Sequence, residues 1–151
     1  MKNILFVCTG NTCRSSMAEA LFKHIAGESG KAIHAASGGT AVFGNQGASK
    51  NAILAMQELG IDLNAHRSKN VTLQMIDAAD LILTMTGNHK IQLLAVKPDA
   101  KHKIFTLAEY CTDDNSRDIS DPFGGDLNTY RKCRDEIADN LKKLIIKLDE
   151  K

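Results

Sequence analysis

The chain has 151 residues, with 19 Lys plus Arg against 18 Asp plus Glu and a formal net charge of +1. That length suits one domain, residues 1–151, with enough core to need no staples. The near-zero charge supplies no broad field for nucleic acid or anionic membrane, and the apolar run at residues 4–8 is too short for a signal peptide or a membrane span, so any anion site must be local.

In chain order, KNILFVC (residues 2–8) reads as a buried strand. Residues 15–27 place Met17, Leu21 and Ile25 at helical spacing, with Ala18 and Phe22 beside them. AIHAAS (residues 32–37) is a short second strand, and Gly38, Gly39 and Thr40 open a loop. Residues 48–59 are helical and stop at Gly60, and residues 72–78 form one short helix. DLILTM (80–85, taken with Asp80 to Met85) is a third strand, residues 87–96 are a helix ending before Pro98, and HKIFT (102–106) is a fourth strand. A polar loop runs from 112 to 126. The last helix covers about 128–148, with Tyr130, Ile137, Leu141, Leu144, Ile145 and Leu148 on one side. Strands alternating with helices predict an α/β fold: a single domain with a four-stranded parallel sheet and helices on both faces. Ligands of such sheets bind beyond the C-terminal strand ends, where strand order switches, and Cys8 lies at one of those ends.

The octet CTGNTCRS, residues 8–15, sits between the first strand and the first helix. Such a loop aims several backbone N–H groups at one point, and the helix N-terminus adds positive potential: a phosphate-binding loop. Gly10 and Asn11 are residue types that tolerate left-handed backbone. Arg14 can grip two phosphate oxygens, and the same field favours a cysteine thiolate. Cys8 is then a nucleophile aimed at phosphorus; the competing reading is a buried cysteine closing a strand. Cysteine, five residues and arginine recur as CTDDNSR, Cys111 to Arg117, without glycine and with Asp113 and Asp114 to repel phosphate. That copy reads as chance, and Cys111 and Cys133 as packing residues. The four cysteines show no CxxC or CxxH spacing, so a zinc site is not expected and reduced thiols are.

VCTGNTCRS followed by MAEALF resembles the low-molecular-weight protein tyrosine phosphatase family, across essentially the whole chain, and the family's second signature stands as Asp121-Pro122. The resemblance implies that Cys8 attacks phosphorus and that Arg14 and the backbone N–H groups of Thr9, Gly10, Asn11, Thr12, Cys13 and Arg14 bind the phosphoryl oxygens. It further implies that Asp121 protonates the leaving group and then activates water. Ser15 donates to the Cys8 sulfur, and Asn11 holds the loop, braced by Ser37 and His66. No metal or organic cofactor is implied. Each role has a plainer rival: Asp-Pro is also a turn starter, Ser37 a turn serine, and His66 a solvated loop histidine. Ser16 stands where the family has proline, which would have stiffened the helix start. Cys13, inside the same loop, is expected to trap oxidised Cys8 as a disulfide.

Thr12, where tyrosine phosphatases of the family carry an aliphatic residue, resembles the bacterial protein-arginine-phosphatase branch, as do DPFGG after the acid and LTMTGNHK at 83–90. A hydroxyl beside the leaving group suits a guanidinium better than a phenyl ring, with Phe43 and Phe123 as pocket walls. The expected substrates are phosphorylated proteins, phosphoarginine ahead of phosphotyrosine, met by a cytoplasmic monomer that binds neither nucleic acid nor membrane. An arsenate reductase and a non-catalytic phosphate-binding module are the other classes. The first needs further redox cysteines, and the second has no use for Asp121.

Overall fold

The computed structural model describes residues 3–112 and 118–149. Its elements are β1 (Asn3–Cys8), α1 (Arg14–Glu28), β2 (His34–Gly39), α2 (Lys50–Gln57), α3 (Leu73–Ala78), β3 (Leu81–Thr84), α4 (Gly87–Val96), a 3-10 turn (Pro98–Lys103), β4 (Ile104–Thr106), α5 (Leu107–Thr112) and α6 (Leu127–Asp149). The four strands form one parallel sheet in the order β2-β1-β3-β4. The central strand β1 is buried on both faces, which is why it reads as an unbroken apolar run. Ile4, Phe6 and Cys8 face a core shared with α1, α2 and α6, through Met17, Phe22, Met56, Ile137 and Leu141. Leu5 and Val7 face the other core, built with Ile76 of α3 and Leu93 of α4. The chain leaves β1 toward β2 on one side and reaches β3 on the other, so the switch in strand order falls beside Cys8.

Three of the differences from the sequence expectation follow from strand pairing and helix capping. The second strand begins at His34 and continues through Gly38 and Gly39, because β1 pairs with it residue by residue as far as Cys8↔Gly39. Gly38 and Gly39 are therefore strand residues that admit a close neighbour. A Cβ on Gly39 would stand 2.3 Å from the Thr9 carbonyl oxygen. The fourth strand is only Ile104–Thr106, matching the three residues of β3 it pairs with. Residues 102 and 103 belong to the 3-10 turn instead, where the Lys103 ammonium donates to the carbonyls of Ile76 and Ala79.

The third difference is α5, which lies where no element was expected. Thr106 and Glu109 form its start reciprocally: Glu109 N–H donates to Thr106 Oγ1 at 3.1 Å, and Thr106 N–H donates to the Glu109 carboxylate at 2.7 Å. Cys111 therefore sits on a helix rather than in a loop after a strand. The Asp113, Asp114 and Arg117 of its accidental motif lie outside the described residues.

Gly39→Ala should lower stability by about 1–3 kcal/mol, the usual cost of forcing atoms into a packed site. Urea unfolding measures it, and an unchanged midpoint at an unchanged slope would show that β2 and the loop after β1 part without strain.

Candidate active site

Cys8 ends β1 with 3% of its surface exposed. Its sulfur lies 2.8 Å from Ser15 Oγ and accepts the Asn11 backbone N–H at 3.3 Å. The loop can curl this tightly because Asn11 has φ +58°, the one left-handed residue between β1 and α1; Gly10 does not take that conformation. The Asn11 side chain is bound at every polar atom. Its Oδ1 accepts the Lys69 backbone N–H at 3.1 Å, which fixes the amide orientation, since a backbone N–H only donates. Nδ2 then donates to Ser15 Oγ at 2.8 Å and to Ser37 Oγ at 2.9 Å. Both serine oxygens are acceptors here, so the Ser15 hydrogen is free for the Cys8 sulfur and Ser37 donates to Glu19. The Asn11 carbonyl accepts from His66 Nε2 at 2.6 Å. Ser37 and His66 thus both touch Asn11, one at its side chain and one at its carbonyl. Glu19 was not foreseen.

Arg14 opens α1 and is buried. Its Nη1 donates to the Ile119 carbonyl at 2.8 Å, and Nη2 lies 3.7 Å from Asp121 Oδ2. Asp121 comes from the distant loop before α6, and several contacts hold that loop in place. Ile119 N–H donates to the Met85 carbonyl after β3, and Gly87 N–H to Asp118 Oδ1. Asp121 Oδ1 accepts the Phe123 N–H at 3.0 Å, while its side chain is 55% exposed. Cys8, Thr9, Gly10, Thr12, Arg14 and Asp121 line one cavity of about 440 Å³, walled by Phe43 and Phe123. Those rings are 83% and 78% exposed, so they form a rim rather than part of the core.

The remaining cysteines do other work. Cys13 is buried, with its sulfur 3.3 Å from the Tyr130 hydroxyl and 3.5 Å from Ser49 Oγ. All four thiols are free. Burial pushes the Cys111 and Cys133 thiols up to about 12. The Ser16 hydroxyl donates to the Cys13 carbonyl at 2.8 Å, within a first turn that has no side-chain cap.

A family model described as low molecular weight phosphotyrosine protein phosphatase matches residues 3–151. The chain belongs to that family. A protein-arginine-phosphatase of Bacillus subtilis is 43% identical over 142 residues, covering 94% of this chain and 93% of the relative. Another, from Geobacillus stearothermophilus, is 41% identical over 147 residues, covering 96% and 95%. Among solved structures, a YwlE mutant from Bacillus subtilis matches with a TM-score of 0.95 and 41% identity, covering 99% of both chains.

One residue outside the octet and the Asp-Pro also reaches the site in this member of the phosphatase family. His89, buried in the first turn of α4, has Nε2 at 2.9 Å from Thr9 Oγ1. Burial, aided by the Arg14 guanidinium, holds its pKa down at about 4, against the opposing pull of Asp118 and Asp121. An unfolded histidine titrates near 6.5, so between about 6.5 and 4 the unfolded chain binds a proton that the folded chain refuses. The His89 contribution to stability is thus complete above about pH 6.5 and is lost as pH falls through about 4. Nitrogen NMR of the imidazole should show a neutral ring at pH 5.5; a midpoint near 6.5 would show that the site is open to water.

Proposed function

We propose that this chain is a cysteine-dependent protein phosphatase that hydrolyses phosphoarginine through a phosphocysteine intermediate. The observation that carries the chemistry is the sulfur of Cys8, held by two hydrogen bonds at the floor of a cavity that Arg14 and Asp121 also line. The Cys8 thiolate attacks phosphorus, the bond to the leaving nitrogen breaks, and Asp121 gives that nitrogen a proton. Arg14 and the loop N–H groups of residues 9 to 14 hold the equatorial oxygens as charge shifts onto them. Water then attacks phosphorus, Asp121 takes its proton, the S–P bond breaks, and phosphate leaves. The Ser15 hydrogen stabilises the departing thiolate. No metal or organic cofactor enters the scheme.

Thr12 in the cavity lining supports phosphoarginine, as do the names of the Bacillus and Geobacillus relatives. Its hydroxyl offers a polar partner to a guanidinium, while the rims of Phe43 and Phe123 can flank either a guanidinium plane or a phenol ring. Phosphotyrosine is the second reading, favoured by the family's own description. No described helix is long and apolar enough to cross a membrane. We place the enzyme in the cytoplasm as a monomer, acting on phosphorylated proteins.

Phosphate release from matched phosphoarginine and phosphotyrosine peptides tests the substrate. The parent should favour phosphoarginine in kcat/KM, and Thr12→Ile should move the ratio toward phosphotyrosine by roughly 5- to 150-fold, the equivalent of about 1–3 kcal/mol for stranding a polar group. A parent that prefers phosphotyrosine makes the second reading correct. Asp121→Asn should slow turnover by about 10²- to 10⁴-fold, the usual worth of general acid–base catalysis, and less for aryl leaving groups that need no proton. An equal loss for every leaving group would reduce Asp121 to shaping its loop.

A further inference from the structure

The segment LTMTGNHK spans the end of β3 and the first turn of α4, outside the octet and the Asp-Pro that carry the chemistry. β1 and β3 are neighbours in the sheet, so the loops leaving their C-terminal ends emerge side by side. The second loop therefore touches the first. Thr86 caps α4, and its partner at the third helical position is His89, not the usual glutamate.

The hydrogen bonds fix which ring nitrogen carries the proton. Thr86 backbone N–H donates to His89 Nδ1 at 3.2 Å. A backbone N–H has no lone pair to offer, so Nδ1 is the acceptor and the hydrogen of the neutral ring is on Nε2. Nε2 lies 2.9 Å from Thr9 Oγ1, which must accept. The helix start that carries the ring is held as well: His89 N–H donates to Thr86 Oγ1 at 3.3 Å, and Thr84 Oγ1 donates to the Thr86 carbonyl at 2.8 Å. A threonine hydroxyl that accepts from one side keeps its own hydrogen for another. Among the described residues, His89 is the only hydrogen-bond partner of that oxygen. Thr9 lines the cavity together with Cys8, Arg14 and Asp121.

We propose that His89 is a positioning residue: by donating Nε2–H to Thr9 Oγ1, it turns the Thr9 hydroxyl hydrogen into the cavity, where it donates to the phosphoryl oxygens of the substrate. The proposal rests on the phosphatase activity proposed above. It adds one side-chain donor to a cradle otherwise made of backbone N–H groups and Arg14. It also explains why this neutral histidine stands at the head of α4. A doubly protonated ring would lose the Thr86 N–H bond, and an Nδ1–H tautomer would let the Thr9 hydrogen turn back to Nε2, away from the substrate.

Two substitutions separate the two ends of the ring. In His89→Asn, the amide oxygen takes the place of Nδ1 and keeps the Thr86 cap, but the side chain stops short of Thr9. In His89→Gln, the amide nitrogen takes the place of Nε2 and restores a donor to Thr9. Turnover of para-nitrophenyl phosphate by the parent tests the phosphatase activity itself. Binding of inorganic phosphate by calorimetry tests the positioning role whether or not turnover is seen. His89→Asn should weaken phosphate binding about tenfold and lower kcat/KM by at least as much, with its unfolding midpoint kept. The size is that of one hydrogen bond to a charged group. His89→Gln should recover most of the loss. Thr9→Val should match His89→Asn, Thr9→Ser should resemble the parent, and Thr9→Val with His89→Asn should lose no more than Thr9→Val alone. Losses that multiply in the double variant, unchanged phosphate binding in His89→Asn, or a Gln variant no better than the Asn variant would overturn the proposal. If His89→Asn fails to fold, the Thr9→Val and Thr9→Ser pair decides it: equal phosphate affinity in both removes the hydroxyl from the cradle.

Discussion

One asparagine in a backbone conformation that side chains disfavour holds the site together. Asn11 at φ +58° bends the chain so that its own N–H meets the Cys8 sulfur, and such a conformation persists only where its surroundings over-determine it. They do. A backbone N–H from Lys69, two serine hydroxyls and a histidine from another loop together bind its Oδ1, Nδ2 and carbonyl oxygen. The partners come from α1, β2 and the loop before α3, so the curl of the loop is a property of the packed domain and not of eight residues alone. A loop free in solution would have to spend part of its binding energy adopting that shape.

The parallel sheet supplies the second half of the arrangement. Its strand ends bring separate chain segments to one rim: Cys8 at the end of β1, Gly39 packed against Thr9, and Met85 after β3 holding Ile119 and, through it, the loop of Asp121. Arg14 closes the circuit by donating to the Ile119 carbonyl from beneath. Asp121 is thereby held on the same cavity as Cys8, while its own carboxyl group remains largely in solvent.

The candidate site is legible in the sequence where it is local. Cys8, Arg14 and Ser15 lie within one loop whose strand, glycine and helix announce themselves by period and residue type, and the buried alternation of β1 follows from its apolar run. What was not legible depends on pairing or on length. Glu19 looks like a solvated helix residue; it meets Ser37 only because the parallel register places Phe6 opposite Ser37. His89 caps a helix from a position where glutamate or glutamine is the usual signal. α5 has six residues, too few for a helical period, although Thr106 and Glu109 spell a capping box that marks its start. The glycines of β2 read as loop because a strand with no side chains has no hydrophobic pattern, whereas its pairing with β1 gives them a purpose.

The polar chain behind the sulfur runs one way. From Asn11 Nδ2 a hydrogen goes to Ser15, and from Ser15 one goes to Cys8; the other branch runs from Nδ2 through Ser37 to Glu19. Its direction is set at a single atom, by whether the group facing the serines gives hydrogens or takes them. An aspartate in place of Asn11 has the same outline and fills the same space. It would still accept from Lys69, but it would draw both serine hydrogens toward itself and leave the sulfur facing an oxygen lone pair. Two side chains that a packing calculation scarcely distinguishes would therefore specify opposite electrostatic environments for the same thiol. Here the fold encodes an orientation of hydrogens as firmly as it encodes a shape.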